Sequence, residues 1–145
     1  MTFVVDASIV VAWIFDEVNA ATSGARERMR REAAVAPALW WFEVRNALVQ
    51  GERRGRFTEL RTARFLRDIS RLAITIDRAP SEPGVLTLAR RHRLTVYDAA
   101  YLELAVQEAL PLATLDEALA GAARTEGVSL VGEASRPSAD RGTDY

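Results

Sequence analysis

The sequence predicts a three-layer α/β/α sandwich around a short central sheet that is mostly parallel. Short apolar runs alternate along the chain with segments of helical length. Parallel strands joined by helices form a sheet covered on both faces, because the crossovers between them are right-handed. The chain has 145 residues, of which 49% are hydrophobic, so it is long enough to bury one core.

The first half of the chain contains one predicted strand and four predicted helices. An apolar run forms the strand, and a mostly apolar helix follows it directly. The next helix is polar and rich in arginine, the third stops near Gly51 and Gly55, and the fourth begins at the candidate N-cap Thr58. The strand covers residues 3–5, and the helices cover residues 7–15, 19–33, 39–53 and 58–71.

The second half continues the alternation of strands and helices. Ser81 caps one helix, Pro111 ends the next, and Gly127 closes the last. We therefore expect a domain over residues 1–131, followed by a loosely ordered tail over 132–145 that has almost no apolar content. The predicted strands cover residues 73–76, 112–115 and 128–131, and the helices cover residues 81–93, 99–110 and 117–124.

Composition excludes several classes of protein. No apolar run approaches the roughly 20 residues that span a bilayer, and no basic segment precedes the first apolar run as in a signal peptide. The chain has no cysteine, which excludes disulfides and thiolate metal sites and is compatible with the cytoplasmic location we expect. All 19 basic residues are arginine, a bias that GC-rich coding would produce, and guanidinium groups suit phosphate oxygens.

Four acidic residues stand on otherwise apolar helical faces. Asp6 and Asp116 each follow a predicted strand, Asp98 opens a helix, and Glu43 lies inside one. Ligands of parallel α/β sheets gather beyond the carboxyl ends of the strands, where such strand-to-helix turns lie. Helix capping is an alternative role for the three aspartates. Glu43 is too far inside its helix for capping, although it could pair with a buried arginine other than its neighbour Arg45.

These four carboxylates predict a metal site. Acids placed together repel one another unless a cation lies between them. An all-oxygen set, in a chain with no cysteine and one histidine, suits Mg²⁺ or Mn²⁺ better than Zn²⁺. Such an ion can activate water and neutralise charge on a phosphoryl group. Ser8 and Thr114 lie two residues from Asp6 and Asp116 respectively and could orient metal-bound water, although hydroxyls in these places also form turns and caps.

Four segments of the chain resemble the PIN-domain ribonucleases, specifically the VapC toxins of bacterial toxin–antitoxin pairs. They are VVDASIVVAW, EVRNAL, YDAAYLELA and LATLDEALAGAA, in that order, and the resemblance covers residues 3–131. Three further polar residues match accessory positions of the family. The four acids Asp6, Glu43, Asp98 and Asp116 match the family's acidic quartet, and Ser8, Thr114 and Asn46 match the accessory positions.

This resemblance implies a PIN-like fold and an endoribonuclease that depends on Mg²⁺ or Mn²⁺. It also implies RNA substrates, tRNA or rRNA in many such toxins, whose cleavage stops translation. The implied partners are a second copy of the chain in a homodimer and a cognate VapB-type antitoxin. With the antitoxin, the assembly would be a heterotetramer or larger.

Arginines form four clusters that could hold RNA phosphates, although a run of charge is also typical of a solvated helix face. We expect His92 at the surface or in contact with a partner residue, rather than acting as a general base. We expect Trp40 and Trp41 in the core or a dimer interface, rather than stacking on bases. The clusters are Arg26, Arg28, Arg30 and Arg31; Arg53, Arg54 and Arg56; Arg61 and Arg64; and Arg90, Arg91 and Arg93.

Two further protein classes carry an acidic pocket at strand ends, and both fit this chain less well. Receiver domains and haloacid-dehalogenase-like phosphatases use a lysine near that pocket, and this chain has none. The nucleotide-binding patterns GxxxxGK[ST] and GxGxxG are also absent. A PIN-like module that binds RNA or a partner without cutting is the remaining alternative, and the complete set of four acids favours cutting.

Overall fold

The computed structural model describes residues 2–77 and 79–134. Within them, four strands and seven helices alternate along the chain. The strands are β1 (Phe3–Val5), β2 (Ala34–Ala36), β3 (Ile74–Ile76) and β4 (Leu112–Ala113). The helices are α1 (Ala7–Ile14), α2 (Ala20–Arg28), α3 (Leu39–Arg53), α4 (Glu59–Ser70), α5 (Glu82–His92), α6 (Val96–Glu108) and α7 (Glu117–Thr125).

The strands form one parallel sheet in the order β3-β2-β1-β4. β1 is central, and its residues Phe3, Val4 and Val5 are fully buried because helices cover both faces of the sheet. This arrangement confirms the predicted three-layer α/β/α sandwich. The carboxyl ends of β1 and β4 are neighbours, so the turns that follow these strands lie side by side at one edge of the sheet.

The observed strands and helices differ from the predicted ones mainly next to the sheet, where several are shorter than predicted. The predicted strand at 128–131 is wrong, because the structure has only a single bridge there, between Leu112 and Leu130. The strand predicted at 112–115 ends at Ala113, since the next residues turn into the site described below. The helix predicted at 19–33 ends at Arg28, because the chain must turn to enter β2, for which no strand was predicted.

Helix α6 begins three residues earlier than predicted. Thr95 is its N-cap, and its side chain accepts a hydrogen bond from the Asp98 backbone. No helix within the described residues is long and apolar enough to cross a membrane. Most of the predicted tail, residues 135–145, lies outside the described residues, so the boundary after residue 131 stays a prediction.

Candidate active site

Asp6 lies at the carboxyl end of the central strand and is only 5% exposed. Its backbone N–H donates to the Ala113 carbonyl at 2.9 Å, which extends the β1–β4 pairing by one residue. Its Oδ2 atom accepts hydrogen bonds from Ser8 Oγ at 2.9 Å and from Thr114 Oγ1 at 2.6 Å. Asp6 occupies the N-cap position of α1 but makes no capping bond with its side chain. Two hydroxyls are therefore the main partners of this carboxylate, and the Ser8 backbone in the first turn of α1 also lowers its pKa.

The same two hydroxyls connect the turn after β1 to the turn after β4. Thr114 Oγ1 accepts from the Asp116 N–H at 3.0 Å, and Ser8 Oγ accepts from the Leu115 N–H at 3.0 Å. Each hydroxyl thus donates to Asp6 and accepts from the backbone of the turn after β4. Because both hydroxyls have a donor and an acceptor as partners, this network fixes the Asp6 carboxylate at the sheet edge.

Asp116 and Asp98 differ in their relation to the helices that they introduce. Asp116 is a true N-cap of α7, since its Oδ1 accepts from the Leu119 N–H at 2.8 Å. The capping alternative is confirmed for this residue, and the cap uses one of its two carboxylate oxygens. Asp98 lies in the first turn of α6, behind the cap residue Thr95, so it is not the N-cap.

Glu43 extends from the interior of α3 toward α6. Its Oε1 accepts a hydrogen bond of 2.6 Å from the hydroxyl of Tyr101, whose side chain is fully buried. The sequence places Tyr101 on the apolar face of α6 and gives it no polar role. The available signal was its position one helical turn after Asp98, since a residue three positions along a helix lies on the same face.

The four carboxylates act on one another electrostatically. Burial is the largest cause that raises the pKa of Asp6, and the negative charge of Asp116 adds to it, against the two hydroxyl hydrogen bonds. The pKa of Glu43 is raised by burial and by Asp6 and Asp98, while the Tyr101 hydrogen bond lowers it. The pKa of Asp98 is raised by burial and by Asp116 and Asp6.

No ion pair within the described residues neutralises any of the four acids. The alternative in which Glu43 pairs with a buried arginine therefore has no support in this part of the chain. A group of negative charges without a cation is costly in a partly buried site, and a divalent ion would remove that cost.

The donor set fits Mg²⁺ or Mn²⁺ in its chemistry, because every candidate ligand is a carboxylate oxygen. Among residues 2–77 and 79–134, no three acidic or histidine side chains are already arranged to hold one ion together. Binding one ion through three of these carboxylates therefore requires rotation of their side chains.

Among the described contacts, the remaining candidates make no hydrogen bond or ion pair with the four acids. Asn46 is exposed on α3, and no hydrogen bond to the quartet is present among the described contacts. Trp40 is 4% exposed, as expected for a core residue, whereas Trp41 is 47% exposed. His92 is largely buried within this chain. Its side chain is 10% exposed, and its Nε2 atom lies 2.6 Å from Oε1 of Glu126.

Two of the arginine clusters come together through the fold. Arginines from α2, from the turn after it and from α4 line a groove of about 540 Å³ with an apolar floor, together with Asp16 and Asp68. None of the four acids lines it. The polar helix α2 and the next-but-one helix α4 thus share a basic surface that sequence spacing did not indicate. The arginines are Arg26, Arg30, Arg61 and Arg64.

Comparison with known proteins agrees with this fold. The sequence model of the PIN domain matches residues 3–125. This chain therefore belongs to the PIN-domain family. It is similar to Ribonuclease VapC3 of Mycobacterium tuberculosis, in strains CDC 1551 / Oshkosh and ATCC 25618 / H37Rv. Each relative is 34% identical over 124 residues, which are 82% of this chain and 85% of the relative.

A solved structure shows the same architecture. The crystal structure of PAE2754 from Pyrobaculum aerophilum has a TM-score of 0.65 and 27% sequence identity, and the match covers 84% of this chain and 87% of that chain. The comparisons confirm the resemblance to PIN-domain VapC ribonucleases that the sequence motifs predicted.

Proposed function

We propose that this protein is a metal-dependent endoribonuclease toxin of a type II toxin–antitoxin system, which hydrolyses RNA phosphodiester bonds at the acidic quartet. The main support is that Asp6, Glu43, Asp98 and Asp116 act electrostatically on one another, with no cation partner among the described residues. The 34% identity to proteins named as ribonucleases supports the same reaction class.

The four acids would hold Mg²⁺ or Mn²⁺. When bound, the ion supplies an activated water and neutralises charge on the phosphoryl group. Ser8 and Thr114 orient the Asp6 carboxylate by donating to its Oδ2 atom. The Asp116 cap holds one carboxylate oxygen at the start of α7. These contacts hold carboxylate oxygens of Asp6 and Asp116 at the sheet edge before any substrate arrives.

The proposed partners follow from the resemblance to VapC proteins. We propose an RNA substrate, tRNA or rRNA, a homodimer, and inhibition by a cognate VapB-type antitoxin in a heterotetramer or larger assembly. A cytoplasmic location belongs to the same proposal, since translation is the process that such cleavage stops.

The deciding experiment measures cleavage of total cellular RNA with Mg²⁺ or Mn²⁺, and again with excess chelator. We expect the unsubstituted chain to cut RNA. Asp6→Asn and Asp98→Asn should each lower the cleavage rate about 100-fold or more, because loss of a residue that only supports a metal ligand already lowers metal affinity or activity about 10–100-fold. Asp16→Asn is the matched control, because its side chain is 88% exposed and lies outside the site.

Two outcomes would contradict the proposal. Equal cutting by all variants would exclude the quartet, and cutting that persists in chelator would exclude the metal. RNA that is bound but left uncut with either metal would favour the non-catalytic binding module instead.

A further inference from the structure

We infer that Tyr101 is a positioning residue, whose hydroxyl holds the Glu43 carboxylate beside the other acids of the proposed metal-binding quartet. This inference rests on the proposed function, because it assigns a role within the same site. It also gives a polar role to a residue that the sequence pattern assigned to the apolar core.

The phenol oxygen lies where three parts of the site meet. It donates to Oε1 of Glu43 on α3 at 2.6 Å. The backbone of Ala7, the first residue of α1, lies near enough to lower the pKa of this phenol. Tyr101 itself belongs to α6, one helical turn after Asp98. One hydroxyl therefore connects Glu43 to the helix that carries Asp98, close to the backbone that follows Asp6.

Glu43 needs a contact of this kind to be held in place, as Asp6 and Asp116 are. Asp6 has two hydroxyl donors, and Asp116 is held by the α7 cap. Glu43 has a longer side chain than an aspartate, and ordering it costs more rotamer entropy. The hydrogen bond from Tyr101 fixes one carboxylate oxygen in advance and leaves Oε2 outside that bond.

The hydroxyl acts as a constant donor and does not transfer protons. A tyrosine hydroxyl has an ordinary pKa of about 10, so it keeps its proton at neutral pH and donates it in the hydrogen bond to Oε1 of Glu43. A group in this state can orient a carboxylate but cannot serve as a general base.

The test replaces Tyr101→Phe, which removes one oxygen atom, and uses Tyr97→Phe as the matched control. Tyr97 lies on the same helix, but its side chain is 66% exposed. We expect Tyr101→Phe to weaken Mn²⁺ binding, followed by electron paramagnetic resonance of the free ion, about 10–100-fold, as is usual when a residue that orients a metal ligand is lost. The metal concentration for half-maximal RNA cleavage should rise by the same factor. Tyr97→Phe should change neither quantity more than about twofold.

A double substitution separates positioning from a general effect on the fold. In a Glu43→Ala background the hydroxyl has no carboxylate to orient, so adding Tyr101→Phe should change Mn²⁺ affinity by less than about twofold. An equal loss in both backgrounds would mean that Tyr101 acts through the fold, and an unchanged affinity in the single variant would mean that it does not act on the site. Either result overturns the inference.

The two proposals fail in different ways. If the unsubstituted chain neither binds Mn²⁺ nor cuts RNA, the proposed function fails, and this inference fails with it. If the unsubstituted chain does both and Tyr101→Phe matches it, only the inference about Tyr101 fails. Should the Phe variant not fold, para-fluorophenylalanine at position 101 fills the hydroxyl volume without donating a hydrogen bond, and the same titration applies.

Discussion

Asp6→Asn should stabilise the metal-free protein, although it removes a proposed catalytic group. The carboxylate is 5% exposed, and its two hydroxyl donors can also bond to an amide oxygen. The substitution is nearly isosteric, so it mainly removes a buried negative charge and its repulsion with Asp116.

The sign follows from the raised pKa of Asp6. A carboxyl whose pKa is higher in the native state than in the unfolded chain favours the native state when protonated. Wild-type stability therefore falls as pH rises from the ordinary aspartate value of about 3.9 through the raised native value, and the full penalty is present above it. Asn carries no such penalty, so its advantage should appear at neutral pH and vanish in acid.

The magnitude comes from two opposing effects. Removing a buried ion recovers several kcal/mol of desolvation energy. Replacing a charged acceptor by a neutral one weakens the two hydroxyl hydrogen bonds by about 1 kcal/mol each. The net gain is about 1–3 kcal/mol. A chain of this length has an unfolding entropy of about 0.3 kcal/mol/K, so Tm should rise by about 3–10 °C.

The assay is thermal unfolding followed by circular dichroism, first with chelator and then with Mn²⁺. At 100 times its dissociation constant the metal should stabilise the wild type by about 2.7 kcal/mol and leave Asp6→Asn nearly unchanged, which reduces or reverses the difference. Asp16→Asn, at an exposed position, should melt like the wild type in both conditions. A less stable Asn variant in chelator at neutral pH, or an equal Mn²⁺ shift in both proteins, would refute the reasoning.

Three further predictions test the site and its scaffold. Protons should compete with Mn²⁺ for the acids whose pKa is raised, so Mn²⁺ affinity should fall by about tenfold per pH unit for each proton displaced. An Mn²⁺ affinity that stays the same across pH, measured by electron paramagnetic resonance, would contradict this. Gly51→Ala should destabilise the fold, because its Cβ would overlap the buried Phe57 ring, with an overpacking cost of about 1–3 kcal/mol against a gain of about 1 kcal/mol in helix propensity. Gly121→Ala should instead raise Tm, because its Cβ would lie in open space on α7 and alanine stabilises a helix by about 0.5–1 kcal/mol relative to glycine. Calorimetry in which the two variants shifted Tm in the same direction would contradict this packing. The hydrogen bond from His92 lowers the pKa of Glu126, so the ionised carboxylate stabilises the native state and Glu126→Gln should lower Tm at neutral pH. The difference in Tm should disappear in acid, below the lowered pKa of Glu126, and thermal unfolding measured across pH checks it.

Much of the fold could be predicted from sequence because it depends on local periodicity. Fully buried β1 is a continuous apolar run, and α4 begins at the predicted cap Thr58. The failed strand at 128–131 has a similar apolar pattern. An apolar run does not show how many residues of a neighbouring strand are available to pair with it. Here only Leu112 pairs with this segment, in one bridge to Leu130.

The sequence by itself determined that Asp6 and Asp116 follow strands, because that follows from residue order. It could not decide that one caps a helix while the other accepts two hydroxyls. Thr114 donates to Asp6 across 108 positions and Tyr101 to Glu43 across 58, and such pairs depend on how parallel strands and helices are placed in space. Helical spacing identifies residues that share a face, whereas only the tertiary structure decides which donor reaches which carboxylate.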